Sequence, residues 1–223
     1  VGNIGFSFAK MISTALSEYY VCELSSFQLE TIVTFRPHVA IITNITPDHL
    51  DRYDHSMEKY AAAKFRITEN QTEDDLLILN GDDKESMDYF NDKSTLAQVK
   101  YVTHDRISDT SYTSVSGKVY DLSQSQLRGK HNQRNMAQAI EALEFIGIKP
   151  YKIMENISSF KGLSHRMEYV ATVNGVDFIN DSKATNVDSV WYALDAMTQP
   201  VVWIAGGTDK GNDYSEIEAL VKE

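Results

Sequence analysis

Apolar residues along this chain gather in short runs separated by polar segments, and the runs obey two different periods. Tyr19 to Cys22, Val39 to Asn44, Leu76 to Leu79 and Val99 to Thr103 are compact stretches of strand length, the pattern of strands buried on both faces. Between them, Ser56 to Asn70 and Lys84 to Phe90 read as helices. In the first of these, Met57, Tyr60, Ala61, Lys64 and Phe65 recur near one face. Strands alternating with helices predict an α/β fold, a mostly parallel sheet flanked by helices.

The pattern then changes. Tyr112 to Leu122 is polar and β-rich, with a turn at Ser116-Gly117, and predicts a hairpin at the domain's edge. Asn132 to Ile146 is the clearest helix, with Met136, Ala139, Ile140 and Leu143 as its apolar stripe and Gly147 in a C-cap position. A helix over Tyr151 to Phe160 ends at Lys161-Gly162, which divides the chain into a first domain, 1–162, and a second, 163–223. The second opens with a hairpin, Glu168 to Val173 and Val176 to Asn180, around Asn174-Gly175. A helix from Val187 to Met197, a strand from Val201 to Ala205 and the start of another helix follow. That is an incomplete β-α-β-α unit of Rossmann-like character, so the chain reads as truncated at both ends.

Composition narrows the classes. With 42% hydrophobic residues among 223, there is ample material for a packed core. The net charge of −11 disfavours nucleic acid as a partner. The longest apolar runs have about six residues, far short of the ~20 that cross a bilayer, so no membrane insertion is expected. The lone Cys22 cannot form an internal disulfide, which fits a reducing cytoplasm and a buried structural thiol.

Four clusters carry candidate chemistry. Glu23 and Ser25 follow the first apolar run, where open α/β sheets place their ligands. A carboxylate there suits Mg²⁺, while Ser25 or Ser26 equally suits the N-cap of a following helix. Asp48-His49 follows the second strand, and Asp48 either caps the next turn or joins a site. Lys64 follows three alanines; a buried lysine loses its charge readily, and a neutral amine reacts with carbon dioxide to give a carbamate. On the surface, the same lysine would simply be solvated. Gly129-Lys130 is no P-loop, because Gln124 and His131 stand where that motif needs glycine and Ser or Thr. Asn132 and Asn135 share a helix face and offer the paired donor and acceptor that an adenine edge requires, although Asn132 also suits an N-cap. In the second domain, Ser164-His165-Arg166, Asp181 to Asn186 and Gly206 to Gly211 are loops suited to phosphate and carboxylate groups. Helix capping accounts for part of the Asp181 to Asn186 loop but not for Lys183.

Gly2-Asn3-Ile4-Gly5, Glu23 to Glu30, Thr46 to Asp51, Ala62-Ala63-Lys64, His131-Asn132 with Asn135, His165-Arg166 and Asn180 to Asn186 occur in one order along the chain. Together they resemble the Mur ligase family of ATP-dependent amide-forming enzymes, over essentially the whole length. The run Glu-Leu-Ser-Ser-Phe-Gln-Leu-Glu is most similar to members that add D-glutamate to UDP-N-acetylmuramoyl-L-alanine in peptidoglycan synthesis. The resemblance implies an acyl-phosphate mechanism, ATP, two Mg²⁺ sites and a carbamylated Lys64. It implies metal and catalytic roles for Glu23, His49 and Lys64. It places Asn132, Asn135, Arg166 and Asp181 at ATP, Asn3 and Ser25 at the muramoyl-alanine substrate, and Lys183, Thr185, Asp209 and Lys210 at D-glutamate. A cytoplasmic, monomeric enzyme is expected.

The family's Gly-Thr-Asn-Gly-Lys-Thr/Ser phosphate loop and its last D-glutamate contacts are not in these residues, so they are expected to be inactive alone. The competing readings are a sibling amino-acid ligase, folylpolyglutamate synthase included, and a non-catalytic nucleotide-binding module.

Overall fold

A computed structural model describes residues 1–3, 5–14, 16–91, 93–127, 129–208 and 213–222. The chain forms two compact units, Val1–Tyr101 and Val102–Glu223.

The first unit contains α1 (Phe8–Thr14), α2 (Ser26–Leu29), β1 (Val39–Ile42), α3 (Met57–Phe65), β2 (Leu76–Asn80), α4 (Lys84–Asn91) and all but the last residue of β3 (Gln98–Val102). β1 and β2 pair in parallel, Val39 opposite Leu76 through Ile42 opposite Leu79. β3 lies on the other side of β2, which makes β2 central. Its continuous apolar run follows from that place: Leu76 to Leu79 are all fully buried. From β1, Ala40 and Ile42 enter the core beside Tyr60, Ala61, Ala63 and Phe65 of α3 and Phe90 of α4. Phe65 stacks on Phe90 with centroids 5.6 Å apart. Ser56 caps α3, its side chain accepting from the Lys59 amide. The helix stops short of the expected Asn70, because a 3-10 turn takes over at Arg66–Thr68 and the Thr68 hydroxyl binds the Phe65 carbonyl at 2.9 Å.

In this unit one expected strand did not form. Tyr19 to Cys22 makes no strand, and Val21 is 84% exposed. The segment reaches only an isolated parallel bridge between Gly2 and Glu23, held by Glu23 N to Val1 O (2.9 Å) and Asn3 N to Glu23 O (2.7 Å). A strand is completed by its neighbours, and this short pairing leaves the Val21 side chain uncovered. Cys22 is half-buried rather than a core thiol. Gly2 has φ +105, and a Cβ there would overlap the Glu23 carbonyl oxygen.

In the second unit, β4 (Ser111–Thr113) and β5 (Val119–Asp121) form the expected antiparallel hairpin, with Gly117 at φ +85 in its turn. Helix α5 (Lys130–Phe145) begins two residues earlier than expected, with Gly129 and not Asn132 as its N-cap. It ends in a Schellman arrangement, with Ile148 N on Leu143 O and Gly147 N on Glu144 O. Its buried face is Met136, Ala137, Gln138, Ile140 and Glu141, while Ala139 is exposed. The stripe is rotated because two carboxylates hold the hairpin. Glu141 Oε1 accepts from Tyr112 Oη (2.7 Å) and Val115 N (2.6 Å). Glu144 accepts from Tyr120 Oη (2.6 Å) and Ser116 Oγ (2.9 Å), with Lys118 Nζ at 3.3 Å. Burial works against the charge of Glu144, but these donors hold its carboxyl below the usual carboxylate range. Burial and the hydrogen bond to Glu141 push the Tyr112 hydroxyl up.

Helix α6 (Pro150–Ser159) follows, with proline in its first turn. The second hairpin, β6 (Glu168–Val173) and β7 (Val176–Asn180), matches its predicted bounds. Asn186 caps α7 (Val187–Asp195) by accepting from Ser189 N at 2.9 Å. Val201 to Ala205 forms no strand, with Val202 and Ile204 about nine-tenths exposed. As at Tyr19 to Cys22, an apolar run without a pairing partner stays irregular. A 3-10 turn and α8 (Glu218–Lys222) close the described residues, among which no helix is long and apolar enough to cross a membrane.

Candidate functional site

In the first unit, the loop after the Gly2 bridge carries Glu23 into solvent. Asn3 Nδ2 donates to Glu23 Oε1 at 3.3 Å, both side chains being exposed. Ser25 is the N-cap of α2, and its amide donates to Gln28 Oε1 at 2.8 Å. Capping therefore accounts for Ser25, as the simpler alternative had it. It does not account for Glu23.

At the far end of α2, Glu30 carries a network that sequence reasoning missed. It accepts from Arg52 Nε (3.0 Å) and Nη2 (2.8 Å) as a fork, and from Tyr53 Oη (2.8 Å). Those hydrogen bonds, from Arg52 first, hold its carboxyl down at about 2. Arg66 binds the Glu30 carbonyl from α3's end and reaches Ile32 O at 3.1 Å. No sequence spacing announces this network, because its partners lie 22 or more residues away.

Arg52 and Tyr53 belong to a 3-10 turn, Leu50–Tyr53, whose N-cap is His49 in the left-handed region at φ 52. His49 is exposed, its Nε2 lying 3.7 Å from Asp48 Oδ2. Buried Tyr53 packs on Tyr60 with centroids 5.2 Å apart, and Lys64 Nζ sits 4.8 Å from the centre of the Tyr60 ring. Burial pushes the Lys64 amine's pKa down, against the pull of the Asp48 charge. Burial, and next the same Asp48 charge, push the Tyr60 hydroxyl up to about 12. Lys64 is thus the half-buried, desolvated amine that carbamate chemistry requires, and Asp48 stands within electrostatic reach of it.

The second unit brings another group together at the start of α5. His131 lies against Tyr192 of α7, with ring centroids 5.3 Å apart. Burial lowers its pKa, Asp181 acts to raise it and Arg166 to lower it, so those three residues share one neighbourhood. Asp181 Oδ1 accepts from Met167 N at 3.0 Å, and Lys183 N donates to His165 O at 3.0 Å, so the two loops lie side by side. Arg166, Lys183 and Thr185 are exposed, as is Asn135, and Asn132 is partly so. Asp209 and Lys210 lie outside the described residues.

Among the described residues, no three His, Cys, Asp or Glu side chains converge as metal ligands. The donors present fit Mg²⁺ nonetheless, since that ion takes hard oxygens and keeps several waters. Glu23 offers an exposed carboxylate with one oxygen already oriented by Asn3. Lys64 presents a half-buried amine with its pKa lowered by burial, and the Asp48 carboxylate acts on it electrostatically.

The family model of the Mur ligase middle domain matches residues 5–143, and that of the Mur ligase glutamate ligase domain matches residues 165–223. The chain belongs to the Mur ligase family. Among curated relatives, this Mur ligase is 44% identical to the UDP-N-acetylmuramoylalanine–D-glutamate ligase of Christiangramia forsetii and 46% identical to that of Bacteroides thetaiotaomicron. Each likeness covers 100% of the chain and 52% of the relative, so the chain spans about half the length of the curated relatives it matches. Among solved structures, it is similar to Acinetobacter baumannii MurF, with a TM-score of 0.60 and 20% identity over 74% of this chain and 38% of that one. The apo form of L. casei FPGS gives a TM-score of 0.62 and 18% identity over 81% and 48%. These two likenesses establish the α/β fold of the Mur ligases, parallel strands with flanking helices.

Proposed function

We propose that the protein carrying this Mur ligase chain adds D-glutamate to UDP-N-acetylmuramoyl-L-alanine at the expense of ATP. The observation that carries this reading is the 44–46% identity, along the entire chain, to relatives named for that reaction. In this reading residues 1–162 belong to the ATP-binding domain and 163–223 to the glutamate ligase domain. Gly162, at φ +88, falls in the gap between the two matched segments.

The chemistry has two steps. The γ-phosphoryl group of ATP passes to the substrate carboxylate, giving an acyl phosphate and ADP. The amine of D-glutamate then attacks the acyl carbon, inorganic phosphate leaves, and the amine gives up a proton as the amide forms. Such reactions depend on positioning and charge neutralisation more than on a nucleophile of the enzyme. Glu23 would hold one Mg²⁺, and His49 with carbamylated Lys64 a second. Mg²⁺ supplies neutralisation of the charge on the phosphoryl oxygens. The Lys64 carbamate forms when its neutral amine adds to carbon dioxide and releases a proton, a step favoured by its lowered pKa. Asn3 and Ser25 would touch the muramoyl-alanine substrate. Asn132, Asn135, Arg166 and Asp181 would face ATP, and Lys183, Thr185, Asp209 and Lys210 D-glutamate. The enzyme would act as a cytoplasmic monomer.

The test is amino-acid-dependent phosphate release by the whole protein with D-glutamate, L-alanine, meso-diaminopimelate and L-glutamate. Release should depend on D-glutamate; preference for another amino acid would assign a sibling ligase or a folylpolyglutamate synthase, and none at all a non-catalytic module. Lys64→Ala in the whole protein should lose most activity and regain part of it with added short carboxylates. Wild-type turnover by that variant would sink the carbamate.

A further inference from the structure

We infer that Glu30, gripping Arg52 and Tyr53, is a positioning residue that keeps the His49 turn and the Lys64 helix in register with Glu23. The inference rests on the ligase reading above and deepens it. Its basis is a continuous path through the first unit. Glu23 lies two residues before the Ser25 cap of α2, and Glu30 is that helix's C-cap. Glu30 binds Arg52 by both guanidinium nitrogens and Tyr53 by its hydroxyl. The Tyr53 ring packs on Tyr60, and Tyr60 carries Lys64 over its face. The three proposed metal-binding side chains thus belong to segments joined through one carboxylate.

A second observation concerns the turn itself. His49, Asp54 and His55 all have positive φ, at 52, 53 and 56. Side-chain-bearing residues hold that conformation only where the surroundings over-determine it. Arg52 and Tyr53 sit between these strained positions, and they are the two residues that Glu30 holds. An exposed ion pair contributes little to folding, so the convergence of three hydrogen bonds on Glu30 serves geometry. Glu30 touches neither substrate nor metal in this account.

Mn²⁺ is the probe, its binding to the whole protein read as free Mn²⁺ by electron paramagnetic resonance. Glu30→Gln should weaken binding about tenfold, the lower end for groups that orient metal ligands. Asp75→Asn serves as the control, because Asp75 holds a separate ion pair with Arg36 in the same unit (2.6 Å). It should leave Mn²⁺ affinity unchanged. Wild-type affinity in Glu30→Gln overturns the proposal, and so does equal weakening in the Asp75→Asn control. Should Glu30→Gln not fold, Arg52→Lys keeps the charge but loses the fork and carries the same expectation and the same overturning results. If the unaltered protein neither binds Mn²⁺ nor releases phosphate with D-glutamate, the ligase reading itself falls, a result distinct from a loss confined to the variants.

Discussion

The carboxylates of α5 in the second unit and Glu23 in the first are used in opposite ways, although Glu30 and Asp75 of the first unit are also held by donors. In the second, Glu141 and Glu144 are buried on α5 and saturated with donors from the β4–β5 hairpin, so their charge is consumed in holding one element on another. In the first, the sheet is held by apolar packing around β2, and Glu23 stands exposed, its carboxylate taking an asparagine amide at 3.3 Å. Saturation thus separates a structural carboxylate from one open to chemistry. Lys64 extends the contrast, since burial desolvates it and, among the described residues, the Asp48 charge is what opposes that effect.

The largest effect should come from breaking the apolar side of this comparison. Leu77→Ala, at a fully buried position of β2, should lower unfolding stability by about 2–5 kcal/mol in urea denaturation. A loss near zero would mean that the core is not where stability resides. Next, Glu141→Ala leaves the fully buried Tyr112 hydroxyl without its acceptor, at roughly 1–3 kcal/mol, while Val115 N lies on an exposed residue. Tyr120→Phe removes a single hydroxyl from Glu144 and should cost about 1 kcal/mol.

The smallest and most diagnostic effect is on acid sensitivity. The Glu144 carboxyl titrates below its unfolded value, so its contribution is complete above the ordinary glutamate pKa of ~4.3 and declines as pH falls through the folded value. Glu144→Gln should flatten that acid limb in urea midpoints compared at pH 7 and pH 3.5. An unchanged slope would place the acid sensitivity elsewhere.

Much of the fold was legible because its signals are local. β1, β2, α3 and both hairpins appear within a few residues of where the apolar pattern puts them, since alternation and turn residues such as Asn174-Gly175 act over short range. Tyr19 to Cys22 and Val201 to Ala205 have equally apolar composition and form no strand, because a strand also needs a partner that composition does not encode. The α5 stripe was misread for a related reason. Glu141 looks like a solvated face until Tyr112, 29 residues upstream, is seen to bind it. Glu23 and Lys64 stood out as residues that packing explains poorly. Glu30, Arg52 and Tyr53 did not, since an acid, a base and a tyrosine are ordinary until the fold brings them together.

Gly2 has a consequence for anyone reshaping this protein. Its backbone is zipped to Glu23 at a spot with no room for a side chain, in a conformation that other residues resist. Any replacement there would displace the Glu23 carbonyl and unseat Asn3 beside it. A mutational library over this segment should therefore leave Gly2 fixed. A deep scan would then record, at a residue with no functional group of its own, an intolerance as sharp as that of a ligand.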